Sequence, residues 1–357
     1  MQSYGLVGYP NAGKTSLFNA LTRSSALAAP YPFATTDPNV GVVAAPDRRL
    51  VAIHGVARSE RCTPAMVRFV DIGGLVEGAH RGEGLGNRFL AAIREVDAVC
   101  LVLRCFRDPE VPGSADPLEQ LAVLEAELCL ADLEVAGRAL EKRKKAAVQD
   151  KSLSAGVELL ERAVEHLDEG DPLWRTDLVG RVRDDLSEWG LVTARPVICV
   201  LNVGEGEVPS HEVVSRVGES LGHRPEVVDI CVRLELEAAS LTQEERRELL
   251  AAYGVEADAL ERFLGAATRV LDLGTFFTAN ENETRAWIFP SGTPAVRCAG
   301  MIHSDMEKRF VKADVLDWET FVEFGGWPAA ARAGLVRSEG RDYLVRDGEV
   351  LQIRFGR

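Results

Sequence analysis

The feature that most constrains this chain is a glycine-rich loop near its amino terminus, "GYPNAGKTS", at residues 8–16. Four residues separate Gly8 from the triplet Gly13, Lys14 and Thr15, which is the spacing of a phosphate-binding loop. Apolar residues that resemble a short strand precede the loop, and a helical pattern follows it, as this motif requires. Such a turn aims several backbone N–H groups at one point, where the helix N-terminus adds positive potential. The sequence therefore predicts a strand, a phosphate-binding turn and a helix that bind a nucleotide.

Apolar segments that resemble buried strands recur along the chain and alternate with helical stretches. They lie at 66–71, 98–104, 196–202 and 226–231. Strands that alternate with helices predict a mostly parallel sheet with helices on both faces, which binds its ligand at the carboxyl ends of the strands. The 357 residues, of which 46% are hydrophobic, suffice for two or three domains with substantial cores. We therefore expect an α/β fold containing a P-loop G domain.

The segment from Asp116 to about Leu191 breaks this alternation, because it shows little strand pattern. Apolar residues repeat at spacings of three and four in two runs, 121–135 and 157–167, with the basic run "EKRKK" between them. This pattern predicts an antiparallel helical hairpin inserted into the α/β domain. The alternative is that two amphipathic helices simply lie on the core.

The last part of the chain, from about Thr275, has short alternating segments with turns at Ser291-Gly292 and Asp347-Gly348. This pattern predicts a small β-rich domain with a helix or two. We therefore expect the first part of the G domain at 1–118, the hairpin at 119–190, the second part of the G domain at 191–274 and the carboxyl-terminal domain at 275–357.

The charge balance argues against one broad class of partner. The chain has 41 Lys and Arg residues against 55 Asp and Glu residues, a formal net charge of −14. We therefore expect poor binding to bulk DNA and no sequence-specific DNA binding. The sequence also predicts neither a signal peptide nor a membrane span. The seven cysteines are scattered without a C-x-x-C pair, which is typical of reduced thiols in a cytoplasmic protein.

Further motifs complete a predicted phosphate and metal site. Lys14 would reach the β- and γ-phosphates, and the Thr15 hydroxyl would bind Mg²⁺. Asp71 ends the apolar strand in "RFVDIGG", where its carboxylate can hold Mg²⁺ through a water molecule. The Gly74 N–H can contact the γ-phosphate, and Thr35 in "PFATTDP" can close over Mg²⁺ when that phosphate is present. The alternative for Thr35 is a capping role in a turn.

The motif "LNVGEGE" follows the strand at 196–202 and is the candidate base-binding element. GTP-binding proteins of this class usually carry N-K-x-D here, and the Asp accepts two guanine N–H bonds. This chain keeps Asn202, but Val203 replaces the Lys and Glu205 replaces the Asp. The acceptor is one methylene longer, and adenine lacks the paired donors that an Asp reads. The motif therefore favours ATP and leaves GTP as the alternative.

These motifs together resemble the YchF/Obg-like ATPases, a family in the Obg branch of the translation-factor-related P-loop GTPases. The resemblance covers almost the whole chain and rests on "GYPNAGKTSLFNALT", "YPFATTDPNVGVVAAPDRRL", "FVDIGGLVEGAHRGEGLGNRFLAAIREVDAV", "LNVGE" and "AGMIHSDMEKRFVKADV". The last segment resembles the signature of a TGS domain, a β-grasp module. The resemblance implies a Mg²⁺-dependent nucleotide hydrolase that prefers ATP, associates with ribosomes or ribosomal RNA, and regulates translation or a stress response.

The resemblance also implies roles for individual residues. The phosphates would be wrapped by Asn11, Ala12, Gly13, Lys14, Thr15 and Ser16, and Thr15 and Thr35 would be the Mg²⁺ ligands. Asn11 is similar to the asparagine that helps hold K⁺ in potassium-stimulated members, so K⁺ is a candidate second cofactor. Leu75 stands where Ras-like enzymes place a water-orienting Gln. Many members carry a His after the "RCF" segment, which this chain lacks, and His80 is more readily a surface residue. We assign no catalytic group and expect slow intrinsic turnover.

Two other functions remain open alongside the ATP-preferring switch. One is an Obg-type GTPase, and another is a ribosome- or RNA-binding module that nucleotide stabilises with negligible hydrolysis. A small-molecule kinase is disfavoured, because nothing in the sequence resembles an acceptor pocket. Candidate contacts to RNA phosphates are Lys308, Arg309 and Lys312, while the "EKRKK" run is explained equally well as a solvated hairpin tip.

Overall fold

The computed structural model describes residues 1–26, 40–72, 85–176, 178, 189–222, 225–254 and 259–356. They form two compact units. The first unit combines Met1–Val43 with Val67–Val270, and the second combines Ala44–Met66 with Leu271–Arg357. Within the described ranges, no helix has the length and apolar character needed to cross a bilayer.

The described residues form strands and helices that are numbered here in chain order. The strands are β1 (Ser3–Val7), β2 (Val40–Ala45), β3 (Arg61–Thr63), β4 (Ala65–Asp71), β5 (Ala98–Arg104), β6 (Val197–Asn202), β7 (Glu226–Ile230), β8 (Leu273–Ala279), β9 (Glu283–Pro290), β10 (Phe310–Asp317), β11 (Arg337–Glu339) and β12 (Glu349–Phe355). The helices are α1 (Lys14–Ala26), α2 (Arg48–Ala57), α3 (Leu85–Arg94), α4 (Pro117–Ala147), α5 (Ser154–Asp168), α6 (His211–Ser220), α7 (Val232–Ala238), α8 (Gln243–Ala252), α9 (Ala259–Val270), α10 (Ala295–Ile302), α11 (Ser304–Lys308), α12 (Trp318–Glu323) and α13 (Trp327–Arg332).

The first unit is built on a sheet with the strand order β2-β4-β1-β5-β6-β7. β1 runs parallel to β4 and β5, and β6 runs parallel to β5 and β7. Every residue of β1, β5 and β6 is buried, as expected of strands covered on both faces. On one face Tyr4 stacks on Phe69, which contacts Phe263 of α9. On the other face Val7 and Leu101 pack in a cluster with the first turns of α4. The predicted P-loop α/β fold is confirmed.

Helices α4 and α5 lie between β5 and β6, where the sequence predicted either an inserted helical hairpin or two helices packed on the core. The structure has features of both. Leu121 and its neighbours in the first turns of α4 belong to the core of the sheet. Further along, Ala136 of α4 packs in a separate apolar cluster with Leu160 of α5. Near the connection between the helices, Lys144 pairs with Glu161 at 2.7 Å. α4 is therefore a core helix over its first half and one arm of a helical hairpin over its second.

The second unit has a mixed sheet with the order β11-β10-β12-β8-β9-β3. Residues Ala44–Met66 belong to this unit, whereas the sequence-based boundaries placed them in the first part of the G domain. The reason is packing: α2 buries Leu50 and Ile53 in a cluster with Phe277 and Phe321, and β3 pairs with β9. The predicted β-rich carboxyl-terminal part is present. Its assignment as a TGS domain and the other domain boundaries stay predictions.

Candidate functional site

The glycine-rich turn lies between β1 and α1, at the carboxyl edge of the parallel sheet. A Cβ atom on Gly8 would lie 2.3 Å from the carbonyl oxygen of Val102, so only glycine lets the turn approach β5 this closely. Asn11 and Gly13 have φ angles of 62° and 100°, which are left-handed values that reverse the chain before the helix. Six of the seven predicted phosphate-binding residues, 11–16, thus occupy this turn and the first turn of α1. A helix N-terminus that follows such a turn is an arrangement suited to binding an anion.

Lys14 is the buried cation of this turn. Its exposed fraction is 6%, and its Nζ donates a hydrogen bond to the carbonyl oxygen of Tyr9 at 2.6 Å. Burial lowers the pKa of Lys14, and the negative charge of Asp71 acts in the opposite direction. A buried ammonium group is costly unless an anion compensates it. A bound phosphate group would supply that anion, and the role of Lys14 in phosphate binding stays a prediction.

Thr15 and Asp71 come together although they are far apart in sequence. β4 runs beside β1 and brings Asp71 to the register of Leu6, one strand away from the phosphate-binding turn. The Thr15 hydroxyl donates a hydrogen bond to Asp71 Oδ2 at 2.7 Å. The other carboxylate oxygen, Oδ1, is buried and has no hydrogen-bond partner among the described residues. The two predicted metal-binding side chains are therefore adjacent.

This pair of side chains suits Mg²⁺. A hydroxyl and a carboxylate are the hard oxygen groups that Mg²⁺ prefers, and Mg²⁺ usually keeps several waters besides one or two protein ligands and phosphate oxygens. The buried Oδ1 of Asp71 is an acceptor that such a water can satisfy. Thr35 and Gly74, which were predicted to complete the metal and γ-phosphate contacts, lie outside the described residues, as do Leu75 and His80.

Asn202 joins the phosphate-binding turn to the loop that follows β7. The side chain, 5% exposed, donates from Nδ2 to the carbonyl oxygen of Ala12 at 2.9 Å. Its Oδ1 accepts a hydrogen bond from the Val232 N–H at 3.2 Å. A Cβ atom on Gly13 would lie 2.3 Å from Asn202 Nδ2, so this glycine also makes room for the bridge. Both ends of the amide thus bind backbone, and Asn202 shapes the predicted base-binding end.

The rest of the "NVGE" motif divides into a buried and an exposed residue. Val203 is 6% exposed, and its N–H donates to the carbonyl oxygen of Ile230 at 3.0 Å. Glu205 lies further out, where its Oε1 is 3.2 Å from Nε of Arg233. A cavity of about 340 Å³ adjoins this loop and is lined in part by Val203 and Cys231. The sequence analysis did not place residues 231–233 beside the base-binding motif. The sequence shows only that they follow β7, and the pairing of β7 with β6 is what brings them there.

The loop after β5 reaches the other side of the phosphate-binding turn. Arg104 is buried, and its guanidinium donates hydrogen bonds to the carbonyl oxygens of Val111 and Gly113. The buried Gln120 side chain bonds both the N–H and the carbonyl oxygen of Arg104, at 2.9 and 2.8 Å. A cavity of about 420 Å³ lies between this loop and the turn, lined in part by Tyr9, Pro10, Asn11, Gly113 and Gln120. Arg104 and Gln120 therefore hold the loop after β5 beside the phosphate-binding turn. This is the loop in which the expected histidine is lacking. The sequence analysis assigned no role to Arg104 or Gln120.

Comparison with protein-family models matches both units. Residues 3–151 match a family described as 50S ribosome-binding GTPase. Residues 273–356 match the family YchF-GTPase_C, which is described as a protein of unknown function.

Comparison with individual proteins extends the match over the whole chain. The "Ribosome-binding ATPase YchF" of Bacillus subtilis is 40% identical over 98% of this chain and 98% of its own length. The protein of the same name from Escherichia coli O157:H7 is 39% identical, again over 98% of both chains. The solved structure of the Schizosaccharomyces pombe YchF GTPase has a TM-score of 0.87 and 28% identity, and covers 99% of this chain and 97% of that chain.

Proposed function

Because the chain belongs to the YchF family of P-loop NTPases, we propose that it is a Mg²⁺-dependent nucleotide hydrolase that prefers ATP, associates with ribosomes and regulates translation or a stress response. The observation that carries the nucleotide preference is the base-binding end. There Val203 is buried in the place of the usual Lys, and Glu205 is engaged by Arg233. The alternative is an Obg-type GTPase, which the 50S ribosome-binding GTPase model at residues 3–151 favours.

The phosphate-binding end contains the groups that Mg²⁺-dependent hydrolysis of a bound nucleotide would use. We infer that the N–H groups of residues 11–16 and the Lys14 ammonium compensate the phosphate charge. Thr15 and Asp71 would hold Mg²⁺, which when bound neutralises charge on the β- and γ-phosphates. Thr35 and Gly74 stay the predicted γ-phosphate sensors, and Asn11 the predicted K⁺ contact. We assign no general base, so turnover without a partner should stay below roughly 1 s⁻¹, slower than most enzymes.

Calorimetric titration of nucleotide-free protein would test the nucleotide preference. Mg²⁺ would be present with a non-hydrolysable ATP analogue in one series and a GTP analogue in the other. Tighter binding of the ATP analogue would support the proposal. Tighter binding of the GTP analogue would overturn it in favour of an Obg-type GTPase.

Phosphate release would test whether nucleotide is hydrolysed or only stabilises the fold. The proposal expects release that requires Mg²⁺, proceeds slowly alone and accelerates when ribosomes are added. Exchange of K⁺ for Na⁺ in the same assay would test the K⁺ prediction through a loss of rate. Absence of release with and without ribosomes would favour the nucleotide-stabilised binding module.

The candidate ribosome contacts lie in the second unit and differ in how available their side chains are to a partner. Lys308 and Arg309 are exposed at the end of α11. Lys312 is less available, because its Nζ bonds the Ser338 hydroxyl at 2.8 Å and pairs with Asp314 at 3.1 Å. Replacing all three with Glu should weaken co-sedimentation with ribosomes, since phosphate contacts depend on positive charge. Glu at the exposed residues Arg216, Arg247 and Arg332, which carry no predicted RNA contact, is the matched control, and unchanged binding of the first variant would remove α11 from the interface.

A further inference from the structure

Arg233 lies in the first turn of α7, beside the base-binding motif, and has so far been given no role of its own. We propose that Arg233 is a specificity-determining residue, which keeps the Glu205 carboxylate engaged and so withholds it from guanine. This inference rests on the proposed preference for ATP and names a residue that enforces it. The juxtaposition that carries it is the ion pair across the two loops at the base-binding end.

The two loops are held in register by buried hydrogen bonds. Asn202 Oδ1 accepts the N–H of Val232 at 3.2 Å, and the Val203 N–H donates to Ile230 at 3.0 Å. Each bond joins the loop after β6 to the chain at the end of β7. Glu205 and Arg233 therefore follow closely after residues that these bonds join. The two backbones can separate there only if a buried hydrogen bond breaks. Their side chains meet at 3.2 Å.

The exposure of the pair suits competition with a ligand. The side chain of Glu205 is 35% exposed and that of Arg233 is 85% exposed. Ion pairs this exposed are weak, with a typical contribution of up to about 1 kcal/mol, which is about fivefold in an equilibrium constant. The pair therefore does not close the base site. It sets a small cost for any ligand that must take the carboxylate away from the guanidinium.

Guanine and adenine differ in whether they meet this cost. Guanine offers two adjacent N–H donors, N1–H and the 2-amino group, whose natural partner is a carboxylate. To bind Glu205 in this way, guanine needs both carboxylate oxygens, including Oε1, which faces Nε of Arg233 at 3.2 Å. Adenine has an unprotonated N1 and no 2-amino group, so it cannot make this paired contact and depends less on a free carboxylate. Any stacking of the guanidinium on the ring face would serve both bases alike. The pair thus acts selectively against guanine.

The test compares the affinities of the Mg²⁺-bound ATP and GTP analogues in the wild type and in R233A. We expect R233A to bind the GTP analogue about three- to fivefold more tightly and the ATP analogue with unchanged affinity. R233K keeps the charge without the planar fork and should lie in between. R216A is the matched control, since Arg216 is an exposed arginine on α6 of the same unit, and its ratio of affinities should equal that of the wild type. An unchanged ratio in R233A would overturn the inference.

Making R233A in the E205Q variant shows whether Arg233 acts on base specificity through Glu205 or only supports the structure. In E205Q there is no carboxylate to release, so adding R233A should leave GTP-analogue affinity unchanged. A gain that persists in the double variant would contradict the inference, because Arg233 would then act without Glu205. Failure of the proposed function appears elsewhere: a wild type that prefers the GTP analogue overturns the ATP preference, whatever R233A does. Thermal melting of each variant shows whether the first unit remains folded.

Discussion

The two ends of the nucleotide site are built in different ways. At the phosphate end the two charged groups lie inward, since Lys14 is 6% exposed and Oδ1 of Asp71 is buried, although the Thr15 hydroxyl beside them is on an exposed residue. At the base end the decisive pair is exposed, with 85% of the Arg233 side chain in contact with solvent. The buried Asn202 amide connects the two ends.

From this difference we infer that the phosphate end mainly determines nucleotide affinity and that the base end mainly determines selectivity between ATP and GTP. Buried charges interact strongly, because little water screens them, and they become costly when their partner is missing. Exposed charges interact weakly, because water and salt screen them. We therefore expect changes at the phosphate end to affect both nucleotides equally and strongly. Changes at the base end should affect one nucleotide, and modestly.

The largest effect is expected for Lys14→Met, which keeps the length of the side chain and removes its charge. Hydrogen bonds to charged groups contribute about 1.5 to 3 kcal/mol, so affinity for both analogues should fall by roughly 10- to 100-fold. Calorimetric titration measures the loss, with Lys145→Met on the exposed end of α4 as the matched control. If only one nucleotide lost affinity, the proposed division between the two ends would be wrong.

The next effect concerns the metal. In the wild type, removal of Mg²⁺ with EDTA should weaken binding of the ATP analogue. Asp71→Asn removes the charge that pairs with Mg²⁺ and should lower Mg²⁺ affinity by roughly tenfold or more, as for other outer-sphere metal contacts. The variant's nucleotide affinity should therefore respond less to EDTA at limiting Mg²⁺. Asp168→Asn at the exposed end of α5 is the control, and an EDTA response of wild-type size in Asp71→Asn would exclude Asp71 from the metal site.

Asn202→Ala tests the connection between the two ends. The change removes two buried hydrogen bonds, to Ala12 and Val232, and should lower the free energy of unfolding by about 1 to 3 kcal/mol. Because the bridge positions both ends, affinity for both analogues should fall by a similar factor. Chemical denaturation and calorimetry measure the two effects. Loss of ATP-analogue binding alone would mean that Asn202 reads the base directly.

The sequence predicts the phosphate end better than the base end, and the reason is physical. Gly8, Gly13 and Lys14 stand in one short segment because the turn, the close approach to β5 and the charge all belong to one local structure. The same locality explains why the apolar runs predicted β4 to β7 well. Asp71 could be paired with the turn because both follow parallel strands at the same edge of the sheet.

Features that depend on distant parts of the chain escaped prediction. Residues Ala44–Met66 join the second unit because β3 pairs with β9, which is about 220 residues away in sequence. The contact of Glu205 with Arg233 likewise depends on the pairing of β6 with β7. Neither contact leaves a spacing pattern in the sequence. The base end was therefore visible only as a departure from N-K-x-D.

The smallest effect, and the sharpest test of the comparison, is expected for Glu205→Asp. The change restores the length of the usual guanine-reading carboxylate and at the same time shortens the reach to Arg233. Affinity for the GTP analogue should rise by about two- to fivefold, in the range of an exposed charge contact, while affinity for the ATP analogue should stay constant. Glu205→Gln keeps the length, removes the charge and should show no gain. Suppose instead that Glu205→Asp and Glu205→Gln changed the affinities for the ATP and GTP analogues by the same factor. Glu205 would then not distinguish the two bases, and the selectivity would have to come from the buried part of the site.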